Sequence, residues 1–283
     1  MERLWLILDS NYLVWRAHAV LQKLSHGEAR TEVVFSYLRD LLHLQSLFST
    51  GLVAHCFDKG RNKRKDLYPG YKLRAPQEPD TAELNGVVRD QIKALRNEYL
   101  PEIGAMNVFS SKGFEGDDMI ASLVINSIPP GDETVIVSAD KDLWQLLRHK
   151  VSVYNPRSKV TTTEKSFTKD WGLGPSQWSM VKAMAGCTSD KVDGIDGIGE
   201  KTAAKFLRGE LKESSVAHGK IMQGEEVWKR NLPIVRLPLE GTETFTLVED
   251  TLDQSGWERL TERFGLKSIR NLHRPLPFSG GFR

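Results

Sequence analysis

The sequence is short of almost everything that would mark a secreted or membrane protein. It has two cysteines, Cys56 and Cys187, in 283 residues. That is too few for a disulfide framework and fits a reducing cytosol. No apolar run approaches the roughly 20 residues of a membrane span. The N-terminus runs straight into a strand pattern, without the basic, apolar and small-residue layout of a signal segment. The histidines, His18, His26 and His43 among them, lack metal-ligand spacing, which argues against a Cys/His zinc site. There is no internal repeat and no low-complexity tract. Net charge is nearly absent too, at +2 from 39 basic and 37 acidic residues. The charges segregate, however: bases gather at 59–74 and 201–208, and acids gather elsewhere.

The acids stand where apolar strands run out. Asp9 ends Leu4-Trp5-Leu6-Ile7-Leu8, and Asp58 follows 52–57. Asp140 and Asp142 follow 134–139, and Glu115, Asp117 and Asp118 open an apolar helix from Met119. Short continuous apolar runs are the pattern of buried parallel strands, and ligands of open α/β sheets sit beyond their carboxyl ends. Taken singly, each acid suits a helix cap or a solvated loop. Seven carboxylates at one sheet edge raise one another's pKa, and divalent cations are the usual compensation. Hard oxygen donors suit Mg²⁺ or Mn²⁺. A pair of such ions about 3.5–4 Å apart serves phosphodiester hydrolysis.

Helical spacing predicts helices over 11–24, 31–48 with Thr31 as N-cap, 81–97 and 175–185. A short strand is expected at 107–109, and 59–80 is too broken by Pro and Gly for one continuous helix. Strand–helix alternation through residues 1–164 predicts an α/β unit with a mostly parallel sheet. Residues 165–270 read as a helical region, and 271–283 as a flexible tail. Within 59–74 the bases include Arg64, Lys72 and Arg74, with Tyr68 and Tyr71 interleaved, the pairing that grips single strands. The glycine turn Gly194, Gly197 and Gly199 feeds Lys201, Thr202 and Lys205, a layout for binding a phosphate backbone. It lacks the spacing of a nucleotide P-loop. Trp5, Trp15 and Trp144 are expected in the core.

Several blocks together resemble the 5′-nuclease family of bacterial polymerase I domains, phage 5′-exonucleases and flap endonucleases. They are Leu8-Asp9-Ser10-Asn11 with Arg16, Phe57-Asp58, 67–72, 113–118, 138–143 and 186–204. The likeness spans roughly 3–270. It implies a PIN-like sheet flanked by helices, a basic arch near 59–97, and a helix–three-turn–helix DNA-binding element near 175–207. It implies a first metal at Asp9, Asp58 and Asp117, with Glu115 and Asp118 acting directly or through water. Asp140, Asp142 and Asp190 would serve a second metal, and K⁺ would sit at the 192–199 turn. Lys72 and Arg64, with Asp140, are the implied catalytic groups. Arg16, Arg64, Lys72, Arg74 and the glycine-turn residues would bind DNA carrying 5′ flaps or 5′ ends, including RNA-primed ends. A monomeric, cytoplasmic enzyme of a bacterium or phage-infected host is expected.

The sequence departs from the family pattern at Cys187, where an acid usually stands. A neutral thiol is a poor Mg²⁺ ligand, so the second site should be weaker or depend on Mn²⁺. Arg74 lies two residues after Lys72 rather than three, which shifts the expected arginine role toward Arg64. A catalytically weakened DNA-junction binder and a PIN-like ribonuclease are the alternative readings.

Overall fold

A computed structural model describes residues 2–18, 24–27, 29–73, 75–76, 78–251 and 253–270. Its centre is a six-stranded sheet in the order Val108–Phe109, Leu52–Cys56, Leu4–Asp9, Glu133–Val137, Val151–Asn155, Val160–Thr163. All neighbours pair in parallel except the last strand, which returns antiparallel as a hairpin. The expected mostly parallel α/β sheet is therefore present. Successive side chains of a strand point to opposite faces. Leu6 and Leu8 thus pack with Tyr37, Leu38 and Trp257, and Ile7 packs on the other face with Ala54, Ile136 and Met119. Both faces are covered, which is why the strand reads as an unbroken apolar run.

The helix Glu32–Phe48 covers the first face through Val33, Val34, Tyr37, Leu38, Leu41 and Leu44. Thr31 directly precedes it, but makes no side-chain cap hydrogen bond. Its backbone carbonyl instead accepts from Phe35 N at 2.9 Å. The first helix runs Ser10–His18; residues 19–23 of its expected extent lie outside the described residues. The helix expected at 81–97 is Pro79–Ala94 followed by a π-turn at Leu95–Tyr99. The 59–80 stretch is indeed broken, with one short helix at Arg64–Leu67. Trp5 is buried, whereas Trp15 and Trp144 are only partly so. Among the described residues no helix is long and apolar enough to cross a membrane.

Residues beyond 237 return to the sheet. Val248 and Asn107 exchange hydrogen bonds, from Asn107 Nδ2 to the carbonyl at 2.8 Å and from Val248 N to Asn107 Oδ1 at 3.0 Å. Asp250 Oδ1 accepts from the backbone N–H groups of Met106 and Asn107 and from Asn107 Nδ2. Trp257, Leu260 and Phe264 then join the same core as Leu6 and Leu8. A stretch without recognisable chemistry in sequence thus fastens the edge strand.

One buried ion pair joins the halves of the chain. Arg64 Nη1 and Nη2 each donate to Asp118 at 2.7 Å, and Arg64 Nε donates to the Ile234 carbonyl at 2.8 Å. Asp118 also accepts from Glu115 N at 3.0 Å and Leu239 N at 2.8 Å. Four donors fill the roughly four lone-pair sites of a carboxylate. A bidentate pair this deep is costly to break because the survivor is left charged and dry.

Arg64→Ala is therefore expected to lower stability by roughly 3–5 kcal/mol. Arg64→Lys should recover only part of that, since lysine lacks the planar fork. Chemical denaturation of the variants measures both. Asp250 gives a pH-dependent expectation. Burial raises its pKa to about 6, outweighing its three hydrogen bonds. A raised acid binds its proton more tightly when folded, so its contribution is full below the unfolded value and declines as pH rises through the folded one. Asp250→Asn keeps an acceptor without a charge. It should flatten the loss of stability between pH ~4 and ~7 and gain stability at the upper end. Asp250→Ala should lose about 1–3 kcal/mol by orphaning donors. Urea midpoints across that range would show a wild-type-like slope in Asp250→Asn if this account is wrong.

Candidate metal centre and nucleic-acid interface

The strand order delivers the acids to one edge. Asp9 is the last residue of its strand, Asp58 lies two beyond Cys56, and Asp140 lies three beyond Val137. Asp9 Oδ1 accepts from Tyr12 N at 3.0 Å and Oδ2 from Ser138 Oγ at 2.7 Å. Asp58 Oδ1 accepts from Gly116 N at 2.7 Å, which ties the second strand to the start of the helix Gly116–Ser122. Asn11 Nδ2 donates to Asp58 Oδ2 at 3.0 Å. These bonds aim the carboxylates without neutralising them.

Their electrostatics show the crowding. Burial, then the charges of Asp58 and Asp140, push the Asp9 carboxyl up to about 7. Half-buried Asp117 is raised by desolvation and then by Asp140, Asp9 and Glu115. The predicted acids Asp9, Asp58, Glu115, Asp117 and Asp140 are thus brought within reach of one another's fields. Oxygen donors gathered in this way suit a hard divalent cation. Asp118 does not belong with them: it is fully buried and saturated by four donors, so it is a structural anchor rather than a metal ligand. Its partner Arg64 is 2% exposed and cannot reach a phosphate, which overturns the catalytic and DNA-binding roles expected of it.

The second half gathers around Asp142, Cys187 and Asp190, whose donor atoms all lie within 4.8 Å of one another. Asp140 Oδ1 accepts from Asp142 N at 2.8 Å, which links the two halves through the backbone. Burial and then Asp140 raise Asp142 to about 6, against the opposing pull of Lys182. Lys182 is a residue that sequence reasoning missed. It is buried on the helix Trp178–Ala185, with Nζ 3.0 Å from Asp142 Oδ1 and 3.4 Å from Glu200 Oε1. Its signal was position alone: it lies on that helix, four residues before the Gly186 that caps it. Burial, then Asp142 and Asp190, push the Cys187 thiol up to about 11.

Tyr71 and Lys72 bridge the halves. Tyr71 is buried, not offered to a single strand as expected, and its hydroxyl donates to Glu115 Oε2 at 2.6 Å and Asp190 Oδ2 at 3.4 Å. Lys72 N donates to the Asp190 carbonyl at 2.7 Å, with Lys72 in the left-handed region at φ 48°. Its ammonium pairs with Glu115 and lies 3.6 Å from Asp190 Oδ1. Burial alone would lower its pKa; the two carboxylates outweigh burial and raise it.

The glycine turn divides in two. Gly186 has φ 78°, and a side chain on Gly194 would lie 2.3 Å from the Ala185 backbone. Gly194 therefore serves close packing between 185–186 and 194. Gly197 and Gly199 are exposed, and Gly199 precedes the helix Glu200–Leu207. Lys201 and Lys205 are exposed and Thr202 is half-buried. Arg16 lies apart from this turn. It pairs with Asp40 on one wall of a groove of about 790 Å³ that also holds Trp15, Arg39, His43, Arg157 and Lys159. Arg74 and residues 271–283 lie outside the described residues.

Residues 4–172 match the family described as 5′-3′ exonuclease, N-terminal resolvase-like domain. The chain is 30% identical over 270 residues to DNA polymerase I of Mycobacterium leprae, covering 90% of this chain and 29% of that protein. It is 31% identical over 205 residues to thermostable DNA polymerase I of Thermus aquaticus, covering 71% of this chain and 23% of that one. It spans less than a third of these curated relatives. In fold it is similar to the T5 D15 protein co-crystallized with metal ions, at TM-score 0.70 and 22% identity over 83% of this chain and 90% of the other. With more than half its length matched by the family and its acids converging at the sheet edge, the chain belongs to the 5′-3′ exonuclease family.

Proposed function

We propose that the chain is a divalent-metal-dependent 5′-nuclease. It would hydrolyse phosphodiesters near the junction of a 5′ single strand and duplex DNA, as a flap endonuclease and 5′-3′ exonuclease, leaving a 5′-phosphate. The convergence of Asp9, Asp58, Asp117 and Asp140 with the Lys72 ammonium beside them carries this reading. Mg²⁺ or Mn²⁺ would be held first by Asp9, Asp58, Glu115 and Asp117, and more weakly by Asp140, Asp142 and Asp190 because of Cys187. Such ions supply an activated water and stabilisation of the leaving oxygen. Lys72 holds a positive charge at the site and can turn from Glu115 toward a bound phosphate. Tyr71 keeps Glu115 and Asp190 at a fixed separation.

The exposed turn at 197–199 with Lys201 and Lys205 suits sequence-independent contact with a duplex backbone, as a helix–three-turn–helix element with K⁺ at 192–199. The basic groove beside Trp15 suits further phosphates. Relatives named DNA polymerase I point to replication and repair, with RNA-primed 5′ ends among the substrates. A T5 neighbour is described as a flap endonuclease in complex with DNA and metal ions. A monomer working in the cytoplasm is the form we propose. Cys187, with Lys182 already paired to Asp142, favours one second reading: a junction binder with weakened chemistry.

Labelled 5′-flap DNA tests both. Cleavage is expected in Mg²⁺ or Mn²⁺ and should fall to background in Asp58→Ala and Asp140→Ala. Lys72→Ala should lower kcat by roughly 10²-fold. Cys187→Asp should raise the Mg²⁺-supported rate about tenfold. Binding without turnover in either metal would establish the weakened binder, and cleavage of RNA alone would establish a ribonuclease.

A further inference from the structure

The second half of the site departs from a hard-metal site in its donor chemistry, and the departure is selective. We propose that the Asp142–Cys187–Asp190 triangle is a thiophilic divalent-cation site, taking Zn²⁺ in preference to Mg²⁺ through the Cys187 thiolate. This rests on the nuclease reading only for the location of the site, not for its occupancy.

The geometry fits. One ligand atom from each residue lies within 4.8 Å of the other two. A tetrahedral Zn²⁺ with bonds of about 2.0–2.3 Å needs its donors roughly 3.3–3.6 Å apart, within rotamer adjustment of that triangle. Three protein ligands leave a fourth position open, and Asp190 is the member of the triangle that reaches the surface. Asp142 is buried and ion-paired with Lys182, whose Nζ lies 3.0 Å from its Oδ1. Ser189 Oγ lies 3.0 Å from Cys187 Sγ and can donate to a thiolate.

The charges also close. With the Cys187 proton released to solvent as the ion binds, two carboxylates and a thiolate carry three negative charges, which a divalent ion and the Lys182 ammonium balance. Lys72, near Asp190, has Glu115 as its own partner, and Glu200, near Lys182, has Lys141 at 3.7 Å. Mg²⁺ asks for octahedral oxygen ligands and gains little from sulfur, whereas Zn²⁺ takes mixed sulfur and oxygen sets. Cysteine in place of an acid thus exchanges one metal preference for another, rather than simply weakening the site.

Cd²⁺ titrated into the full, reduced chain without DNA reads this directly through the ultraviolet sulfur-to-cadmium absorption. One equivalent should develop the band, Zn²⁺ should compete it away, and Mg²⁺ in roughly hundredfold excess should leave it. Cys187→Ser should abolish the band and weaken Zn²⁺ binding at least tenfold or so, while Cys56→Ser keeps it. Cys187→Asp should lose the band and shift competition toward Mg²⁺. A missing band in the unmodified chain, a band surviving in Cys187→Ser, or ready displacement by Mg²⁺ would overturn the proposal. Cys56→Ser leaves Cys187 as the sole thiol, so the presence or absence of the band in that variant decides the matter even where Cys187→Ser fails to fold. Absence of flap cleavage would overturn the nuclease reading while leaving the cadmium result standing.

Discussion

Like charges forced together at the carboxyl edge of a parallel sheet are the constraint on which the rest of this molecule depends. A strand that ends in an acid puts that acid at the edge, and three strands and a helix start do so together. Repulsion and desolvation would expel these side chains unless cations or hydrogen-bond donors held them. The chain uses three basic side chains at graded depth. Arg64 is buried and held by Asp118, the Ile234 carbonyl and Glu115, Lys182 is buried against Asp142, and Lys72 is half-buried at the mouth beside Glu115. Depth sets their roles, because a cation without solvent access can only support structure. The one at the mouth can exchange partners.

This grading separates a hard half from a mixed half. Around Asp9, Asp58 and Asp117 the donors are oxygens, aimed by Tyr12 N, Ser138, Asn11 and Gly116 N. Around Asp142 and Asp190 one donor is sulfur and one neighbour is an ammonium. Tyr71 and Asp140 are the physical links between the halves, the first through its hydroxyl and the second through the Asp142 N–H. A change in one half is therefore felt in the other through two hydrogen-bonded elements rather than through bulk field alone.

The parallel sheet, its strand ends and the acids on them were legible in sequence because they depend on local patterns. Apolar runs of strand length, each closed by a carboxylate, leave few other arrangements. The same locality misled at 59–74, where Arg64 and Tyr71 look like a solvated basic arm. Both turn inward, since Asp118 and Glu115, some 50 residues on, offer buried partners stronger than solvent. Gly194 looked like part of a phosphate cradle, but its lack of a side chain is required by the Ala185 backbone beside it. Asp250 carried no local signal, because its three donors come from residues 106 and 107.

By itself, then, the sequence determined the fold class, the edge at which the carboxylates meet and the loss of an acid at Cys187. Tertiary structure alone decided which carboxylates remain open to a cation and which are already neutralised. The physical reason is range. Strand and helix patterns are set by neighbours a few residues apart, whereas the state of a charge is set by whatever the fold packs against it. For Asp118 that is Arg64, which occupies it fully; for Asp142 it is Lys182, which offsets only part of the charge gathered with Cys187 and Asp190; and for Asp9 it is two further acids.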